Sequence, residues 1–302
     1  RRAAWLAASS RPEVRVLFGT SVTALSLAED HGRVTLADGR SFSAPLVVAA
    51  DSRFSSVRRM AGIGASVHDF ARSVVVGRVS HANDNEGIAW ECFRYGNTLA
   101  LLPMNHRQSS AVVTVPSSRA PEWQALPDDE FVARVQRQAP AALGTLSAAG
   151  PRHHYPLVGV YAHRFTGHRF ALIGDAAVGM HPVTAHGYNF GLYGVEVLTR
   201  ALRRARQTGQ DIGRAEVLAP YGDEHRRTTL PTYLGTNAIV KLFTDDHGPA
   251  KLARRALLAA AENLPPFSLV VKAAITRQLT GVAAMPAFGR SARRDAERAP
   301  AA

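Results

Sequence analysis

The first third of the chain is built from short runs of alternating or continuous apolar residues, the signature of strands rather than long helices. After a brief apolar helix at the start, "VRVLFGT" (Val14 to Thr20) reads as a strand. "SVTALSLAED" and "RVTLADG" are alternating runs on either side of His31-Gly32, which predicts a hairpin with a tight turn there and "RSFSA" as a link. "PLVVAAD" is continuously apolar, as a buried parallel strand would be, and ends at Asp51. A loop and a basic helix, "SRFSSVRRMAGIG", follow.

From about Val67 the pattern changes. "SVVVGRVS", "IAWECFRYG", "TLALLPM" and "SAVVTVP" read as successive strands of a mostly antiparallel sheet, and "DDEFVARVQRQ" as an amphipathic helix with acids in its first turn. "HHYPLVGVYAHRF" leads to the short strand "FALIG", and Leu192, Val195, Leu198 and Leu202 then mark one face of a long helix. Beyond Gly213 the pattern is helical, in "EVLAPYGDEHRRTTL", a segment through "AIVKLF", and two later segments.

The order predicts an α/β fold: a split Rossmann-like domain at 1–66 and 152–213, an inserted mostly antiparallel sheet domain at 67–151, and C-terminal helices over 214–285. The polar tail at 286–302 reads as disordered. The chain opens at Arg1 inside a helix, so it is expected to be an N-terminally truncated fragment.

Composition narrows the classes. A chain of 302 residues with 46% hydrophobic and 20% charged residues is long and apolar enough for substantial cores. The 36 basic and 24 acidic residues leave a net charge of +12, but arginine is dispersed and no nucleic-acid-binding motif accompanies it, so nucleic acid is not an expected partner. The single cysteine, Cys92, forbids an internal disulfide and reads as a small core residue. No apolar run is long enough to span a bilayer.

The chemistry concentrates in "RFALIGDAAVGMHPVTAHGYNFGLYGVEVL", Arg169 to Leu198. A strand ending in Gly174-Asp175 puts a carboxylate at the carboxyl edge of a sheet, where open α/β folds bind ligands, and such a group accepts hydrogen bonds from ribose or ribityl hydroxyls. Pro182 and Gly187 precede a helix whose first N–H groups favour negative charge, and glycine there lets a flat ring approach the backbone. Asn189 adds an amide in the same turn. His181 and His186 lack the carboxylate or cysteine companions and the spacing of a metal site, so no metal is expected.

This combination resembles the second flavin motif of the class A FAD-dependent monooxygenases. Their other internal motif, an Asp at a strand end followed by Ser and Arg, is matched upstream by "ADSRFSSVRR" through Asp51, Ser55, Val57 and Arg58. Within that family the chain resembles the ubiquinone-biosynthesis hydroxylases, in "ALLP", in "HP" before Gly-x-Asn, and in the late helical segment. "ADSRFS" with "GDAAVGMHPVTAHG" is similar to the UbiH- and UbiM-like, demethoxyubiquinol 5-hydroxylase branch.

The resemblance implies FAD as cofactor, with Asp51, Arg58, Gly174, Asp175, Pro182, Ala185, His186, Gly187 and Asn189 around it, and NAD(P)H as reductant. It implies hydroxylation of a polyprenyl phenol or quinol with O₂ through a flavin C4a-hydroperoxide, the flavin itself carrying the chemistry. Leu102 and Met104 become candidate substrate-pocket residues. A cytoplasmic protein at the periphery of the inner membrane, or in a ubiquinone-synthesis complex, is the expected setting, and packing of the basic helices on the flavin domain is the plainer account of them. A hydroxylase of a soluble aromatic, and an inactive fragment or assembly partner without FAD, stay open. Ser52 and Ala50 stand where the family has glycines, Ala185-His186 where it has Gly-Gln, and the resemblance implies a first βαβ unit with G-x-G-x-x-G that is missing from this sequence.

Overall fold

The computed structural model describes residues 2–93, 97–105, 107–182, 187–244, 247–249, 251–252 and 256. In chain order the elements are α1 (Arg2–Ser9), β1 (Val22–Leu27), β2 (Gly32–Leu36), β3 (Ser41–Ala44), β4 (Val47–Ala49), α2 (Ser56–Met60) and β5 (Ala65–His81). Next come β6 (Trp90–Phe93), β7 (Thr98–Met104), β8 (Gln108–Pro116), α3 (Ala120–Ala125), α4 (Asp128–Gln136), β9 (Leu146–Ala148) and β10 (His153–Ala162). The series ends with β11 (Thr166–Gly167), β12 (Phe170–Leu172), β13 (Val178–Gly179), α5 (Gly187–Gln207) and α6 (Ala215–Thr244). The chain divides into two compact units, one formed by 1–66 with 160 onward and the other by 67–159. The second is therefore an insertion in the first, and the boundaries fall inside β5 and β10.

In the first unit β12 lies between β11 and β4, antiparallel to the former and parallel to the latter, with Phe170, Ala171 and Leu172 opposite Val47, Val48 and Ala49. All three residues of β12 are buried, as expected of a continuous apolar run in a parallel pair. β1, β2 and β3 form a separate antiparallel meander. Its turn spans Ala28 to His31, closed by Ala28 N to His31 O at 2.9 Å, so Gly32 opens β2 instead of sitting in the turn. Gly32 is required by packing: a Cβ there would stand 2.7 Å from Val47 Cγ2. "RSFSA" supplies strand β3, not a link, because it completes the ladder on β2.

Two further expectations change. Val14 to Thr20 forms no strand; Val14, Val16 and Phe18 are exposed, and without a partner ladder β-propensity does not by itself make a strand. The buried face of α5 is Phe190, Tyr193, Gly194, Val197 and Leu198, whereas Leu192 and Val195 are exposed. Two faces of this helix carry apolar residues, and the aromatic pair faces the core. The C-terminal helical pattern is one 30-residue helix, α6, that runs through Pro220 and Pro231. The later helical segments and the tail fall almost wholly outside the described residues.

The inserted unit has its own core. In β8 buried and half-buried positions alternate without exception, the period-2 pattern of one packed sheet face. β8 pairs antiparallel with β5 and β7, β7 with β6, and β9 with β5. Val75, Leu99, Leu101, Val113 and Phe131 bury together there, with Cys92 packed at the margin. α4 presents Phe131 and Val135 to this core and carries Asp128, Asp129 and Glu130 in its first turn.

Candidate ligand site at the ends of two parallel strands

β4 and β12 are adjacent and parallel, so the segments that leave them share one edge of the sheet. β4 leads to Asp51; β12 leads, through Ile173, to a 3-10 turn over Gly174–Ala176. Gly174 has φ +58°, a left-handed conformation that glycine adopts without strain, and Ala177 N closes the turn on Gly174 O at 3.0 Å. Asp175 thus projects from a tight turn, its side chain 36% exposed.

After β4, Asp51 Oδ2 accepts from Val57 N at 3.4 Å, and Ser55 caps α2 by accepting from Arg58 N at 2.9 Å. α2 then delivers Arg58 into the interior at 5% exposure. Its Nη1 donates to Arg53 O at 3.2 Å and to Ala176 O at 2.9 Å, which ties the loop after β4 to the turn after β12. Among the described residues its buried Nε has no hydrogen-bond acceptor. A charged group is kept inside here because it satisfies backbone carbonyls that a smaller side chain would leave unpaired.

Arg53 joins the same two segments from the other side. Its Nε and Nη2 donate to Asp175 Oδ2 at 3.1 and 2.7 Å. Beside it His181 is half-buried, and burial, followed by the Arg53 charge, pushes its imidazole down to about 4, so it is neutral at pH 7.

Pro182 is exposed just before α5, and Asn189 is exposed in its first turn. Among the described residues a Cβ built on Gly187 would meet nothing within 4 Å, whereas one on Gly191 would stand 3.6 Å from Gly174 Cα. The start of α5 therefore passes close to the Gly174 turn, and no described residue fills the space over Gly187. Ala185 and His186 lie outside the described residues. Leu102 and Met104 belong to the inserted unit, each 42% exposed on β7, on the face opposite buried Leu99 and Leu101.

One edge thus brings together Asp51, Arg58, Gly174, Asp175 and the start of α5. Its chemistry is a partly exposed carboxylate, a buried guanidinium with a spare donor, and helix-start N–H groups beside a glycine with room above it. These fit a ligand that offers hydroxyl donors at one place and a flat, electron-rich ring at another. Sequence reading passed over Arg53, since its partner is 122 residues away and no spacing rule links them.

Residues 5–229 match the FAD binding domain family. Ubiquinone hydroxylase UbiM of Neisseria meningitidis is 44% identical over 281 residues, covering 93% of this chain and 60% of that protein. Ubiquinone hydroxylase UbiL of Rhodospirillum rubrum is 39% identical over 256 residues, covering 85% and 60%. The chain thus spans about three fifths of the length of these two curated relatives. Among solved structures, p-nitrophenol 4-monooxygenase PnpA of Pseudomonas putida superposes with a TM-score of 0.70 at 16% identity, over 90% of this chain and 69% of that one. Klebsiella pneumoniae HpxO, solved with FAD and uric acid, gives 0.62 at 20% identity, over 78% and 61%.

Proposed function

The chain belongs to the FAD binding domain family, and on that premise we propose that the protein is an FAD-dependent monooxygenase that hydroxylates a phenol or quinol precursor of ubiquinone, with O₂ and NAD(P)H. The observation that carries the reading is the placement of both flavin-type motifs at the carboxyl ends of the parallel neighbours β4 and β12, tied together by Arg58. The ubiquinone hydroxylases among the relatives supply the substrate class.

In this reading the first unit holds the cofactor. Asp175 accepts hydrogen bonds from ribityl or ribose hydroxyls, and Asp51 and Arg58 keep the loop after β4 in the shape that meets them. The first N–H groups of α5 have no intrahelical acceptors and offer partial positive charge to the pyrimidine edge of the ring. Gly187 leaves room for that ring, and Pro182 and Asn189 frame its approach. His181, neutral at pH 7, adds no charge beside it. FAD, when bound, supplies the redox and oxygen chemistry. The inserted unit contributes apolar surface to the substrate through Leu102 and Met104.

A polyprenylated substrate resides in a bilayer, so we place the protein at the cytoplasmic face of the inner membrane, alone or within a ubiquinone-synthesis complex. Among the described residues no helix is long and apolar enough to cross a membrane. A net charge of +12 favours an anionic lipid surface.

The test begins with bound flavin, read from the absorbance of the purified full-length protein. Asp175→Ala is expected to lower flavin content at least tenfold with the fold retained. Expression in a bacterial strain lacking ubiquinone hydroxylation should restore its quinone profile. A colourless wild type overturns the FAD reading. A flavoprotein that couples NAD(P)H oxidation to soluble phenols, and leaves the quinone profile unrestored, overturns the substrate class.

A further inference from the structure

Arg53 is locked in place from three directions. Its carbonyl is held by Arg58 Nη1 at 3.2 Å. Its stem packs on Gly179, where an added Cβ would stand 2.8 Å from Arg53 Cβ, closer than real Cβ contacts come. Its guanidinium makes two bonds to Asp175. Gly179 itself is held by the pairing of β13 with β10, opposite Val160. The arginine is therefore preorganised by backbone and packing, not merely resting on a convenient carboxylate.

The geometry of the ion pair is directional. Both donors, Nε and Nη2, converge on Oδ2, and among the described residues no donor reaches Oδ1. One oxygen of the carboxylate is thus engaged by the protein, and the side chain as a whole is 36% exposed. An unsupported aspartate at a turn would sample several rotamers and would lose that freedom on binding a ligand. A clamp on one oxygen removes that cost in advance and leaves the other oxygen as an acceptor for hydroxyl groups.

We propose that Arg53 is a positioning residue for cofactor binding: it clamps Asp175 through Oδ2 so that Oδ1 is presented to a hydroxyl group of the cofactor's ribityl or ribose portion. The proposal rests on the FAD reading above and extends it to a residue that the family motif does not require. The Arg53 charge also stays in the site, where it faces both Asp175 and His181.

The experiment compares flavin-stripped full-length proteins by FAD titration, following quenching of flavin fluorescence, with thermal unfolding of the apoproteins alongside. Arg53→Ala is expected to raise the FAD dissociation constant at least tenfold. Arg53→Lys should recover part of the loss, since an ammonium keeps the charge but not the two-donor fork. Gly179→Ala should weaken binding while retaining both charges, because its Cβ displaces the arginine stem. In an Asp175→Asn background the Arg53→Ala change should cost little more, the coupling expected of one unit. Should Arg53→Ala fail to fold, the Lys and Gly179 variants carry the test. Wild type that binds FAD alongside variants with unchanged dissociation constants overturns the clamp alone. So does an effect of Arg53→Ala that persists in full without the Asp175 carboxylate. Wild type that binds no FAD overturns the proposed function first, and the clamp with it.

Discussion

His225 is 1% exposed on α6, ringed by Phe165, Tyr193 and Tyr221 at centroid distances of 5.2, 5.9 and 5.5 Å. Tyr221 OH donates to Leu172 O, so at 3.1 Å it accepts from His225 Nδ1, which fixes the proton on that nitrogen. Burial pushes His225 down to about 4, as it does His181. Unfolded histidine binds its proton near 6.5, so between about 6.5 and 4 the unfolded chain takes up protons that the folded one refuses. Stability is expected to be full above pH 6.5 and to fall through that window. Thermal melts at a series of pH values should show it, and His225→Asn should flatten part of the slope. A slope unchanged by His225→Asn would assign the uptake elsewhere.

The helices α5 and α6 meet where Gly194 faces that imidazole. A Cβ at Gly194 would approach His225 Cε1 to 2.6 Å. Gly194→Ala is expected to destabilise by about 1–3 kcal/mol through overpacking, despite a helix-propensity gain of about 1 kcal/mol. Urea unfolding measures the difference, and a stabilised variant would show that the rings move aside. At this scale the strands were legible where the pattern had a partner to pack on. β4, β8 and β12 follow from continuous or alternating apolar runs, and α5 from its helical spacing. Val14 to Thr20 has the same composition and no ladder, so it forms no strand. The choice between two apolar faces of α5 could not be read from spacing, because both satisfy it; the aromatic rings bury more area and take the core.

Among the described residues each unit has its own hydrophobic cluster. Phe131, 1% exposed in the inserted unit, packs edge-on to Trp123 at 6.4 Å and beneath Arg152 at 4.9 Å. Phe131→Ala is expected to cost about 3–5 kcal/mol. With its own core affected, the inserted unit should lose amide-exchange protection across β7 and β8 while β4 and β12 keep theirs. Equal loss in both would show that the units unfold as one.

The sequence by itself determined the family resemblance, the order of the two flavin-type motifs and the insertion between them, because each is carried by contiguous residues whose spacing survives without a fold. Asp51, Asp175 and Gly187 were named from such local patterns. Only the tertiary structure decided that Arg53 meets Asp175 across 122 residues, and that Gly32, Gly179 and Gly194 are glycines for want of room rather than for a turn. Those facts depend on atoms brought together by the parallel pairing of β4 with β12 and the packing of α6 on α5. A linear chain carries no record of such approaches beyond the absence of a side chain.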